Sequence, residues 1–125
     1  MRYGHVKKIL PLLIICWTAC ELDKAHLAGD WQAVALYESG QSVAADLDSV
    51  RLSFQDEGMY EFRSIGLYRE AGPFRSSGQY LFLTDTTVRP ARDRTLRVLF
   101  LSEDTLKIRM QKGGNEQVVF MSKIR

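Results

Sequence analysis

Side chains able to do chemistry are few in this chain. Of two histidines and two cysteines, His5, Cys16 and Cys20 fall at the N-terminal end, and His26 follows shortly after. One histidine and no cysteine beyond position 20 leave too few ligands for a His/Cys metal cluster. They also leave no Cys–His nucleophile pair. A Ser-His-Asp arrangement would need His26 to fold back onto the rest of the chain, and no motif around it suggests that. Asp56/Glu57 and Glu103/Asp104 could be acid–base pairs, but both sit among turn residues, where solvated carboxylates are ordinary. Gly113-Gly114-Asn115 reads as a hairpin turn, not a phosphate-cradling loop. No catalytic residue, metal or cofactor is expected, and the chain reads as a non-enzyme.

Two other groups suit binding better. Arg89, Arg92, Arg94 and Arg97 crowd one stretch, and Arg63, Arg69 and Arg75 flank another. Guanidinium groups grip carboxylates and phosphates with two parallel hydrogen bonds. The first set could form an anion-binding or partner-binding surface. Interleaved with Asp85 and Asp93, the same arginines would equally keep an exposed loop soluble. The second group is aromatic: Tyr37, Phe54, Tyr60, Phe62, Tyr80 and Phe100 recur at alternating positions. They could line an apolar ligand pocket in which tyrosine hydroxyls orient the ligand, or simply fill a core. The small Ala33 and Ala35 leave room for the pocket.

Strands must position these residues. Val50-Arg51-Leu52-Ser53-Phe54-Gln55 alternates apolar and polar, the mark of a half-buried strand. Asp56-Glu57-Gly58 turns, and Met59-Tyr60-Glu61-Phe62-Arg63 resumes the alternation, a hairpin signal. Further strands are expected over 31–37, 77–83, 96–101, 106–110 and 117–124. A less regular hairpin runs through Gly66, Gly72 and Pro73, with Pro73 out of place in a central strand. Residues 85–94 form a polar connection. No stripe of period 3.6 is sustained, so little helix is expected. Seven or eight short strands point to an all-β, up-and-down antiparallel barrel, which closes its own edges. A barrel of about eight strands is either packed solid or holds one small ligand.

The N-terminal segment stands apart. Arg2, Lys7 and Lys8 precede an apolar run from Ile9 to Cys16 that ends at Trp17-Thr18-Ala19-Cys20, the form of an export signal. The run is shorter than the roughly 20 apolar residues of a membrane span. Removing 1–19 takes away three of the 17 basic residues and none of the 15 acidic ones. What remains is nearly neutral, without the basic field that nucleic acid requires.

Thr18-Ala19-Cys20 resembles the lipobox of bacterial lipoproteins, with Trp17 departing from its usual aliphatic position. That resemblance implies a signal peptide over 1–19, lipid on Cys20, a tether over 20–28 and a domain over 29–125. The protein would be exported and held to the envelope, in the outer membrane, through its N-terminal lipid. An ordinary signal peptide cut after Ala19 without lipidation is the other reading. Leu27-Ala28-Gly29-Asp30-Trp31 resembles the Gly-x-Trp opening of lipocalin-like domains, whose tryptophan plugs the barrel base. Leu52-x-Phe54, Asp56-x-Gly58-x-Tyr60, Gly78-x-Tyr80 and the terminal Lys123 are similar to short lipocalin-like lipoproteins of bacteria. The resemblance implies that a basic residue near the chain end, Lys123 ahead of Arg109 or Arg125, packs across Trp31 beside Gly29. Thr84-Asp85-Thr86 is a poor match to the second lipocalin motif. Two functions follow: a small apolar ligand carried in the barrel, or an interaction module, inhibitor or accessory subunit that meets an envelope protein through its arginine loops.

Overall fold

Tight glycine turns join strands whose alternation sets one face inward. In the computed structural model, residues 21–43 and 46–125 are described; Cys20 and the export segment lie outside them. The elements are a helical turn α1 (Lys24–Leu27) and strands β1 (Gly29–Glu38), β2 (Gln41–Ser42), β3 (Arg51–Phe54), β4 (Met59–Arg63), β5 (Arg69–Ser77), β6 (Tyr80–Asp85), β7 (Arg92–Leu101), β8 (Thr105–Lys112) and β9 (Asn115–Lys123). A 3₁₀ turn, Leu47–Ser49, precedes β3. β1 pairs with both β3 and β9, which closes an antiparallel barrel of eight strands; the two-residue β2 pairs with the end of β1 as an extra ninth. Gly113 and Gly114 both take positive φ, 59° and 84°, making the two-residue link between Lys112 and Asn115 that the right-handed strand twist favours.

Three local expectations change. Residues 77–83 are not one strand: Ser77 pairs with Tyr80 across a turn in which Gly78 has φ 60°. Pro73 lies inside β5, contrary to expectation. It occupies the last rung of the β4–β5 ladder, opposite Met59, and the β5–β6 ladder begins at Phe74↔Leu83. Its missing N–H therefore falls where the strand changes neighbours. The connection after β6 shrinks to 86–91, because β7 starts at Arg92.

One end of the barrel is closed by packing. Leu27, Trp31, Leu52, Phe54, Leu106 and Met121 are buried there. Residues 23–28 do not form a free tether: Asp23 caps α1 by accepting from the Ala25 and His26 N–H groups, and Leu27 is buried in the core. The Trp31 indole Nε1–H donates to the Leu27 carbonyl at 2.9 Å. Lys123 Nζ donates to the carbonyls of His26 and Ala28, at 2.9 and 3.0 Å, and lies 4.9 Å from the Trp31 ring centroid. The other candidate cations are engaged elsewhere, Arg109 with Glu116 and Arg125 with Glu103. Gly29, at φ 129°, is the residue over which the Lys123 stem passes; a Cβ there would meet Lys123 Cε at 3.3 Å. The His26 ring sits beside Asp23 (3.4 Å) at the surface, with only its backbone serving the base.

Lys123→Met, which keeps the apolar stem but removes the charge, is expected to lower unfolding stability by about 2–3 kcal/mol through loss of charged hydrogen bonds and the indole contact. Urea denaturation followed by Trp fluorescence measures it, and an unchanged midpoint would show that Lys123 does not hold the base.

Candidate functional site

Above that base the barrel is hollow. Counting its open mouth, the cavity measures about 980 Å³, at the upper end of the roughly 300–1,000 Å³ typical of small-molecule sites. Leu36, Leu52, Phe62, Leu96, Met110 and Val119 supply apolar wall. Ala33 contributes only a methyl group, which keeps the floor low. Ile65 and Tyr68, from the link between β4 and β5, reach the mouth, and Leu67 beside them is wholly exposed. The mouth lies opposite α1, so the closed and open ends belong to different loops.

A polar cluster is set into this apolar wall. Glu70 is only 2% exposed and accepts four hydrogen bonds. Arg94 donates from Nε to Oε1 at 3.3 Å and from Nη2 to Oε2 at 2.6 Å. The Tyr60 hydroxyl donates to Oε1 at 3.5 Å, and the Tyr68 hydroxyl donates to Oε2. Burial pushes the Tyr60 phenol well above its usual range, with the Glu70 and Asp85 charges adding to it. For Tyr68 the hydrogen bond to Glu70 is the main cause of an upward shift. Both phenols thus stay protonated as donors. Burial alone would weaken the charge on Arg94, but the hydrogen bond and charge of Glu70 reverse that and raise its pKa. The cluster is a neutralised ion pair clamped by two hydroxyls, with part of the Arg94 guanidinium still facing the cavity.

Asp85 is the last residue of β6, beside the 86–91 link. Burial would raise its pKa, yet the Thr87 hydroxyl and N–H, the Ala71 N–H and Arg92 together hold the carboxyl below the usual range. Its Oδ1 takes those three hydrogen bonds. Its buried Oδ2 has no hydrogen-bond partner, and Arg92 Nη2 is 3.8 Å away. Among the described residues no group of His, Cys, Asp and Glu could hold a metal ion, and no helix is long and apolar enough to cross a membrane.

Of the six aromatics expected at a pocket, the structure brings Tyr60 and Phe62 together in the wall. Phe54 is buried below the cavity, edge-on to Phe74 with ring centroids 4.9 Å apart. Tyr37 faces outward against Phe120, because an extra residue, Val34, shifts the β1–β9 register and reverses the inward phase. Phe100 is outward for the same reason: Leu99 is the extra residue between Val98 and Phe100. Tyr80 stacks on Phe82 outside the barrel, since Leu81 and Leu83 take the inward positions; the cavity meets it only from that outer side. The arginines divide likewise. Arg92 and Arg94 line the cavity, Arg97 lies on the outer face of β7 beside the Tyr80 ring, and Arg89 is exposed in the 86–91 link. Sequence reasoning missed Glu70 and Tyr68. A lone glutamate between Arg69 and Ala71 carries no pattern that marks it as buried.

No protein-family model matches the chain, and no curated protein matches it. Among solved structures, a lipocalin-like protein from Bacteroides uniformis is similar in fold, with a TM-score of 0.60 and 22% sequence identity. The likeness covers 79% of this chain and 99% of that one. The fold is lipocalin-like.

Arg94→Met leaves Glu70 buried without its cation and is expected to cost about 3 kcal/mol of unfolding stability. Adding Glu70→Leu should restore most of that loss. Denaturation midpoints of the single and double variants decide it; a double variant as weak as the single would show that the charge pair is not the cause.

Proposed function

We propose that this protein is a non-enzymatic, lipid-anchored envelope lipoprotein whose barrel binds one small, largely apolar ligand. The cavity carries this reading: a packed base, an apolar wall and an open mouth, with a volume suited to one small molecule. The lipocalin-like fold supports ligand binding in general. The cluster of Tyr60, Tyr68, Glu70 and Arg94 gives such a ligand a polar end to meet, while Leu52, Leu96 and Val119 cover the rest. Lipid on Cys20 would attach the chain at the α1 end, so the mouth would point away from the bilayer. Interaction through arginine loops has weaker support, since Arg92 and Arg94 turn into the cavity and leave Arg89 and Arg97 apart.

Titration of the purified protein with an environment-sensitive apolar fluorophore is expected to saturate at one equivalent. Ala33→Trp, which fills the cavity floor, should weaken that binding about tenfold or more without unfolding the barrel. Failure of the wild-type protein to saturate would remove the ligand reading. For the anchor, metabolic labelling with tritiated palmitate in a bacterial host should tag the wild-type protein and not Cys20→Ser. Equal labelling of the two, or none of the wild type, would return the N-terminus to an ordinary signal peptide.

A further inference from the structure

The barrel wall is incomplete at one seam. β7 begins at Arg92 and β8 runs to Lys112, yet their ladder stops at the Arg97↔Arg109 rung. Beyond it, residues 92–96 pair only with β6 and residues 110–112 only with β9. The cavity is continuous through this seam. It touches inward-facing Arg94, Leu96 and Met110, and also Asp93, Thr95, Arg97 and Arg109, which lie on the outer side of the same two strands.

Positive charge collects at the splay. Continued in register, the ladder would set Arg94 against Lys112, a second rung of like charge three rungs beyond Arg97 against Arg109. Like charges directly opposite across strands are destabilising. The slot is thus flanked by Arg92, Arg94 and Arg97 on β7 and by Arg109 and Lys112 on β8. Of the acids facing it, Glu70 is paired with Arg94 and Glu116 with Arg109 at 3.6 Å; Asp93 accepts from the Thr84 hydroxyl and keeps its charge, so the slot's cations outnumber its acids. Among the described residues, Arg97 and Lys112 have no carboxylate within ion-pair distance. A basic slot opening into an apolar chamber matches one kind of molecule, an alkyl chain that ends in an anion.

Building on the ligand reading above, we propose that the slot between β7 and β8 is a lateral anion site, holding the carboxylate or phosphate head of a single-chain amphiphile whose tail fills the barrel. The head lies between Arg97 and Arg109, the last paired rung beside the slot, and offsets their mutual repulsion. The tail passes Leu96 and Met110 into the cavity.

Competition against the bound fluorophore tests this with three probes: dodecanoate, dodecanol and acetate. The wild-type protein should bind dodecanoate about tenfold or more tighter than dodecanol, the worth of one charge-assisted contact. The preference should shrink in high salt. Arg97→Gln with Arg109→Gln should bring the ratio near one. Their unfolding midpoint should stay level or rise, because a repulsive rung is removed. Arg51→Gln with Arg63→Gln, an opposed arginine pair of the same kind on β3 and β4 that does not line the cavity, should leave the ratio unchanged. Equal affinity for acid and alcohol in the wild type would overturn the slot and keep the apolar cavity. Failure of both to compete would overturn the cavity reading as well. Acetate competing as well as dodecanoate would overturn the amphiphile in favour of a bare anion.

Discussion

A single ammonium group holds the closed end together. Lys123, on the last strand, reaches beneath the barrel to two carbonyls of α1 and the face of Trp31 on the first strand. Two neighbouring segments near residue 28 meet the distant last strand at that atom, and each supplies what the others lack. The carbonyls at the end of α1 need donors, the ammonium needs acceptors as it leaves water, and the indole offers an apolar face with negative charge density. Gly29 is the condition for this contact, because any side chain there would press on the lysine stem. With the base sealed, the opposite end can stay open while the buried core beneath it stays packed. The hollow depends on the plug.

The second constraint is the buried glutamate. A carboxylate removed from water is costly unless its oxygens are satisfied, and Glu70 has a guanidinium and two phenols around it. Replacement by apolar side chains would stabilise a purely structural barrel at least as well. The cluster therefore adds polarity to the cavity wall at some expense in stability. Polarity at one side of an apolar chamber orients whatever occupies the chamber.

Much of this fold was legible in the residues. The alternation in β3, β4 and β8 and the glycine turns follow from rules that act over short spans, whereas the Gly-x-Trp with its distant lysine was legible only through resemblance to lipocalin-like domains. Pro73 and Gly72 were harder. A Cβ at Gly72 would lie 1.9 Å from the Thr84 carbonyl oxygen, so this glycine serves close passage of β5 over β6, not a turn. That crowding depends on a neighbour twelve residues away, which no local pattern reveals. Glu70 escaped for a similar reason, since its partners Tyr60 and Arg94 come from two other strands. Cys20 remains a matter of sequence resemblance, outside the described residues.

The misplacements of Tyr37 and Phe100 share one cause, and that of Tyr37 bears on why the barrel is hollow. Period-two alternation, carried straight along β1 and β7, puts Tyr37 and Phe100 inside. One extra residue in each strand, Val34 and Leu99, reverses the phase beyond it. Both bulges thus move a large ring from the interior to the surface. Outside, Tyr37 meets Phe120 edge-on, and Lys107 lies 4.7 Å from the Phe120 ring centroid. The β6 aromatics also face outward, Phe82 under Arg75 at 4.4 Å and Tyr80 beside it. The inner wall of the upper half is left to Leu36, Val50, Leu96 and Val119, with Ala33 at the floor. Side chains of that size cannot span an eight-stranded barrel from opposite walls, whereas an inward ring at 37 would add some of the missing volume. The outward placement is therefore fixed by the register beyond each bulge. Deleting Val34 or Leu99 would leave Ala35 opposite Phe120 and Phe100 opposite Lys107 and keep both rings outside, whereas absorbing the extra residue of β1 into regular alternation would turn Tyr37 toward the cavity.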